Sequence, residues 1–173
     1  MYKLRELERK DLEIINSWRN NPELISLLGA PFRYINKEVD DKWFDSYMSS
    51  RNNTVRCSIV DENNTLLGLV SLTSIDMLNQ SASFHIMIGD SQLYNKGIGT
   101  FATKAMLKHA FNNLNLNRIE LLVLKTNERA QHMYEKVGFV KEGVKRQAVY
   151  KKGRFVDMYL YSALRSDNTN LCD

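Results

Sequence analysis

Gly97 and Gly99 lie in Leu93-Tyr-Asn-Lys-Gly-Ile-Gly-Thr100, between a strand-like run, Ser81–Asp90, and a long amphipathic stretch. Without a Cβ, a glycine lets a main-chain N–H approach a ligand closely. A helix starting there adds unpaired N–H groups and the positive end of its dipole. That combination holds a phosphate. Three phosphate ligands compete. An NTP loop of the form G-x-x-x-x-G-K-[ST] fails, because Lys96 precedes the glycine and no earlier glycine has the required offset. Gly97–Ala102 does read G-x-G-x-x-A, with Glu120 the acid that would bind a ribose. That acid should end the second strand, whereas Glu120 opens the run Leu121-Leu-Val-Leu124. Coenzyme A, whose pyrophosphate fits the same turn, is the third candidate.

Other reactive side chains are sparse. His85 shares a strand face with Ser83 and Met87 by period-two alternation, and an ordinary pKa near 6.5 suits it to take a proton from an amine. A lone strand histidine is also explained by packing. Tyr134 shares a helical face with Ala130 and Val137, which by itself indicates core. Asn127 stands at a strand-to-helix junction and is accounted for as an N-cap. His109 and His132 have no second ligand at metal spacing, and Cys57 and Cys172 have no CxxC partner, so neither a metal site nor a disulfide framework is expected.

The elements that must position these residues follow from periodicity and punctuation. Strands are predicted over 2–7, 55–61, 66–75, 81–89, 118–124, 139–149 and 155–163. Asp11 is expected to cap a helix carrying Leu12, Ile15 and Trp18, and Pro22 to open a second over Glu23–Leu28. Asn36 caps a third, with Val39, Trp43, Phe44 and Tyr47 along one face. Two further helices cover 98–113 and 127–137. The strand–helix–strand unit over 81–124 must be parallel, while the hairpin before it is antiparallel, so the sheet is mixed α/β.

With 173 residues the chain reads as one domain, 1–165, followed by a flexible tail, 166–173. A net charge of +4 favours anionic ligands only mildly, and no Lys/Arg block suggests nucleic acid. The charged opening, Met1–Lys10, is no signal peptide, and no run has the length of a membrane span. The expectation is a cytoplasmic protein.

Two motifs make a family resemblance specific. Tyr94-Asn-Lys-Gly-Ile-Gly-Thr100 resembles the R/Q-x-x-G-x-G/A pyrophosphate loop of the GNAT superfamily of N-acetyltransferases, with Tyr94 in place of Arg/Gln. Asn127-Glu-Arg-Ala-Gln-His-Met-Tyr-Glu-Lys-Val-Gly-Phe139 resembles its N-x-x-A-x-x-x-Y-x-x-x-G-F segment. The ending, Glu142–Asp157, is similar to the branch holding ribosomal-protein N-terminal, polyamine and nucleotide-amino-sugar acetyltransferases. The resemblance implies a single-domain mixed α/β sandwich with helices on both faces and two parallel strands splayed to admit a pantetheine arm. It implies acetyl-CoA as cosubstrate, held by Tyr94, Asn95, Lys96, Gly97, Ile98, Gly99 and Thr100, by main-chain groups of Met87 and Ile88, and by Asn127. Tyr134 would protonate the departing thiolate. The strand glutamate of polyamine and ribosomal relatives is missing from Ala82-Ser83-Phe84, which leaves His85 as the candidate base. Arg19, in Trp18-Arg-Asn20, would meet an acceptor phosphate. The acceptor expected is a primary amine, first on a nucleotide-linked amino sugar. A protein N-terminus, a polyamine, or non-catalytic acyl-CoA binding are the alternatives, and a homodimer is a further expectation.

Overall fold

Period-two alternation decides which way each strand faces. On β4 (Ser81–Ile88) Ala82 and Phe84 are buried while His85 opens outward; on β5 (Arg118–Leu124) Ile119, Leu121 and Val123 are buried. In the computed structural model, which describes residues 1–171 and side chains through residue 168, these strands belong to one sheet. The others are β1 (Lys3–Glu6), β2 (Val55–Val60), β3 (Leu66–Asp76), β6 (Val140–Lys151) and β7 (Arg154–Leu164). The order is β1-β2-β3-β4-β5-β7-β6, antiparallel throughout except at β4–β5. That parallel pair is joined by the crossover helix α4 (Ile98–Asn112), as its topology requires.

Helices cover both faces. On one, Ala102, Met106, Leu107 and Ala110 of α4 pack with Leu72, Phe84 and Ile119 of the sheet. Tyr134 and Val137 of α5 (Glu128–Val137) join the same cluster. On the other, α1 (Leu12–Arg19), α2 (Pro22–Ser26) and α3 (Lys37–Ser49) form a second layer. There Leu12, Ile15, Phe44 and Tyr47 cluster with Val60 and Leu66. Burial of these apolar side chains, at about 1.5–3 kcal/mol each, is what fixes the layers against the sheet. The mixed sandwich expected from the sequence is the one observed. Among the described residues no helix is long and apolar enough to cross a membrane.

Three local expectations change. Asp11 does not cap α1; its own backbone is helical, and its buried carboxylate pairs with both Arg5 nitrogens at 2.7 and 2.8 Å. The carboxylate also accepts from the Ser58 hydroxyl and the Glu8 N–H. On α3, Val39 is 47% exposed and Asp40, only 1% exposed, takes the inward position. The segment expected to fray from Ser166 forms 3-10 turns over Arg165–Leu171, and Asn168 is buried beside Gly138. Residues 172–173, including Cys172, lie outside the described residues. The glycine explains that last contact: a Cβ at Gly138 would come within 2.6 Å of Asn168 Oδ1, and Gly138 also holds a φ of +108°.

Candidate active site

β4 and β5 stay in register only from Ser81–Ser83 opposite Arg118–Glu120, although both strands continue to Ile88 and Leu124. Beyond that point they part, and a cleft of about 890 Å³ opens between them. The splay that the resemblance implied is therefore present. The Gly89 N–H donates to Leu67 C=O at 3.0 Å, which fixes the phase of the β3–β4 ladder. By antiparallel alternation, Met87 directs its main-chain groups toward β3, while Ile86 and Ile88 direct theirs into the gap. Of the two residues expected to offer main chain to a ligand, Ile88 is oriented to do so and Met87 is not.

The glycine loop closes one end of the cleft. Asn95 and Gly97 both adopt positive φ, 62° and 80°, the left-handed backbone from which main-chain anion nests are built. Such a nest is a concavity of main-chain N–H groups. Gly97 precedes α4, whose first internal bond is Phe101 N–H to Gly97 C=O at 2.9 Å. The N–H groups of Ile98, Gly99 and Thr100 accordingly have no partner among the described residues. Tyr94, Asn95, Gly97, Ile98, Gly99 and Thr100 all line the cleft, although the Ile98 side chain is buried in the core. Lys96 does not line it; its side chain is exposed and its carbonyl accepts from the Tyr2 hydroxyl at 3.2 Å. Positive charge comes instead from Arg129 on α5, whose guanidinium stacks 3.6 Å from the centre of the Tyr94 ring. Sequence reasoning noted the tyrosine in place of arginine but missed Arg129. Its position inside the Asn127–Phe139 motif was the available signal.

Tyr134 lies at the floor. Its ring meets Phe84 and Phe139 edge-on at 6.2 and 5.6 Å, and it also lines the cleft. The packing expected of this residue is present, and the side chain also reaches the cleft. Its hydroxyl has no hydrogen-bond partner among the described residues, and burial pushes the phenol well above its ordinary pKa, so it stays protonated. Asn127 lines the cleft as well, but its polar atoms are occupied. Oδ1 accepts from Ala130 N–H at 3.2 Å, the N-cap role, and Nδ2 donates to Leu27 C=O at 3.1 Å. Asn127 therefore ties α5 to the segment following α2.

The other sheet face supplies the far side. Arg56, Ser71 and His85 stand side by side across β2, β3 and β4, and all three line the cleft. His85 Nε2 lies 2.9 Å from Thr73 Oγ1; with Nε2–H donating, Nδ1 is left as the acceptor. His85 is open to the cleft, yet the surrounding protein disfavours the imidazolium and lowers its pKa, as does the nearby Arg56 charge. Both effects favour the neutral imidazole. Glu120, beside Ser83, is the only carboxylate among the residues lining the cleft. Arg118 contacts it at 3.3 Å. Cys57 also reaches the wall, but burial pushes its thiol up to about 11. It is not a thiolate nucleophile.

Arg19 is not at the cleft. Its guanidinium pairs with buried Asp40, which also accepts from Asn16 Nδ2 at 2.7 Å. Its Cζ also lies 5.5 Å from the centre of the Trp43 ring. The tryptophan of the same segment, Trp18, packs so closely on Gly89 that a Cβ there would overlap the indole. Sequence alone could not tell Asp40, on a helix rich in acids, from its solvated neighbours.

Residues 2–140 match the family model of the acetyltransferase (GNAT) domain. The chain is 31% identical to the spermidine N(1)-acetyltransferase of Vibrio cholerae over 168 residues, 96% of this chain and 95% of that one. A crystal structure of the Vibrio cholerae spermidine N-acetyltransferase with CoA and spermine superposes at a TM-score of 0.90, with 31% identity and 96% of each chain covered. A dodecameric structure of spermidine N-acetyltransferase from the same organism superposes at 0.85, with 28% identity over 99% of this chain and 98% of that one. The chain belongs to the GNAT acetyltransferase family and is an acetyl-CoA-dependent N-acetyltransferase.

Proposed function

We propose that the acetyl group passes directly from the thioester to a primary amine of a small molecule, with His85 as base and Tyr134 as acid. The opening of the β4–β5 gap between these two side chains is the observation that carries this reading. An amine beside His85 gives up a proton to the neutral imidazole, directly or through water, and its nitrogen attacks the carbonyl carbon. The C–S bond breaks, and the leaving sulfur takes the proton of the Tyr134 hydroxyl. The N–H groups of Ile98, Gly99 and Thr100, with Arg129, hold the pyrophosphate. Ile88 offers main-chain groups to the pantetheine arm. Asn127 braces the acceptor-side segment through Leu27 rather than touching the cosubstrate.

Two acceptor classes compete. The relatives' names, spermidine acetyltransferases above all, favour a polyamine over the nucleotide-linked amino sugar expected from the sequence. Glu120 gives a cationic acceptor one carboxylate to meet. Against this, the cleft lines up no second carboxylate and holds Arg56 two strands from His85, an environment suited to an amine borne on an anionic molecule such as a nucleotide-linked amino sugar. We take the anionic amine as the first reading and the polyamine as the second. Release of free CoA across a panel of spermidine, amino sugars, their phosphate and nucleotide conjugates, and an N-terminal peptide decides between them. No release with any amine would reduce the chain to an acyl-CoA-binding module. For assembly, a dodecamer, as in the relative, is the reading to set against a simple pair by sedimentation.

A further inference from the structure

Arg56 is an unpaired cation in the acceptor half of the cleft. A guanidinium carries five N–H donors in a planar fork and stays charged under all working conditions. None of those of Arg56 meets a carboxylate or any other hydrogen-bond acceptor among the described residues, and its Nε is buried with no partner. What surrounds it is aromatic. Its Cζ lies 4.9 Å from the centre of the Trp43 ring and 5.9 Å from that of Tyr47. Stacking orients the fork but leaves its in-plane donors unsatisfied. Arg19, whose charge bears on Arg56, has the same sign and is already paired with Asp40. Burying a charged group without a counter-charge is costly, and the cost is removed when an anion arrives.

Resting on the reading of this cleft as the amine site, we propose that Arg56 is the anchor for a negatively charged group on the acceptor, a phosphate or a carboxylate held by the guanidinium fork. The sheet sets the size of that acceptor. Arg56 pairs with Ser71, and Ser71 with His85, so the anchor and the base are two strands apart on one face. At about 4.8 Å between strands, the amine and the anion of the acceptor are separated by roughly 10 Å or less. Ser71, between them, offers a hydroxyl to the connecting atoms. The same charge works against a free polycation, whose second amine would lie against Arg56.

Matched pairs of probes isolate the anion. Glucosamine and glucosamine 6-phosphate test phosphate; an α-amino acid and its amide test carboxylate; spermidine tests the opposite charge. The wild-type enzyme should favour one charged member over its neutral partner by at least about tenfold in kcat/KM, the scale of one charge-assisted hydrogen bond. Arg56→Gln should erase that preference through KM, leaving the KM for acetyl-CoA unchanged and the melting temperature unchanged or raised, since an uncompensated charge is removed, and Arg56→Lys should restore part of it. A preference for spermidine, or a charged preference that survives Arg56→Gln, would overturn the proposal. Calorimetry of inorganic phosphate and of acetate into the CoA-saturated protein supplies an arm independent of catalysis, because CoA already fills the nest at α4. Binding of either by wild type but not by Arg56→Gln would uphold the anchor even if no amine were acetylated. No binding of either anion and no charged preference would sink it.

Discussion

Ser83 and Glu120 are the last residues to face each other across the β4–β5 ladder before the strands diverge. The proposed base and acid lie on the open side of that pair: His85 is two residues further along β4, and Tyr134 closes the floor from α5. The same pair contains the residue that departs from the glutamate expected at this strand start and the carboxylate that sits across from it.

Replacing Tyr134 with phenylalanine separates its two roles. The ring contacts with Phe84 and Phe139 persist, so the melting temperature should hardly move. Loss of the proton donor should lower kcat by roughly 10²–10⁴-fold with acetyl-CoA affinity nearly intact. Wild-type turnover together with a loss of stability would establish that the tyrosine only packs.

The lowered pKa of His85 sets a direction for the pH profile. The base acts in its neutral form, so kcat/KM should fall as acid protonates it, and the fall should begin below the ordinary histidine value of 6.5. His85→Gln should remove that acid limb and lower turnover by about 10²-fold or more. A profile whose acid limb is the same in the variant would assign the base elsewhere, with Glu120 the next group to replace.

The two loop glycines should fail differently. Gly97 holds a φ of +80°, so Gly97→Val strains the backbone whatever the space, lowering both stability and acetyl-CoA affinity. Gly99 is helical, and a Cβ there would meet only the Met133 terminal methyl at 3.7 Å, an ordinary contact. Gly99→Val should therefore spare the melting temperature and weaken acetyl-CoA binding alone, by crowding the unpaired N–H groups. Equal acetyl-CoA affinity by calorimetry would remove the nest from the binding site.

Local signals made much of this legible. The strand–glycine–helix order gives the nest, and alternation on β4 puts His85 on the open face opposite buried Phe84. What the sequence concealed depends on neighbours distant in the chain. Arg56 reads as an ordinary polar residue of an alternating strand; only the packing of Trp43 and Tyr47 over it, with no acid paired to it among the described residues, makes it unusual. Arg19 and Asp40 conceal each other in the same way, since 21 residues separate a pair that only the α1–α3 packing brings together. Cys57 was placed correctly on β2, yet strand assignment alone gave no sign that β2 lies near enough for it to reach the cleft wall.

Arg19 supplies the last test, because it was expected to bind acceptor and is bound instead by Asp40. Arg19→Ala would strand a carboxylate that is 1% exposed and keeps only the Asn16 amide as partner. Removing one member of a buried ion pair costs about 3–5 kcal/mol, and the half-exposed position of Arg19 places the expected loss at or below the lower end. The unfolding midpoint in urea should fall while the KM for the acceptor stays within about twofold, since neither partner lines the cleft. Arg19→Ala combined with Asp40→Asn should recover much of the lost stability, because the uncompensated charge is then gone. A variant that keeps wild-type stability and raises only the acceptor KM would return Arg19 to the binding site and leave Arg56 without its distinction.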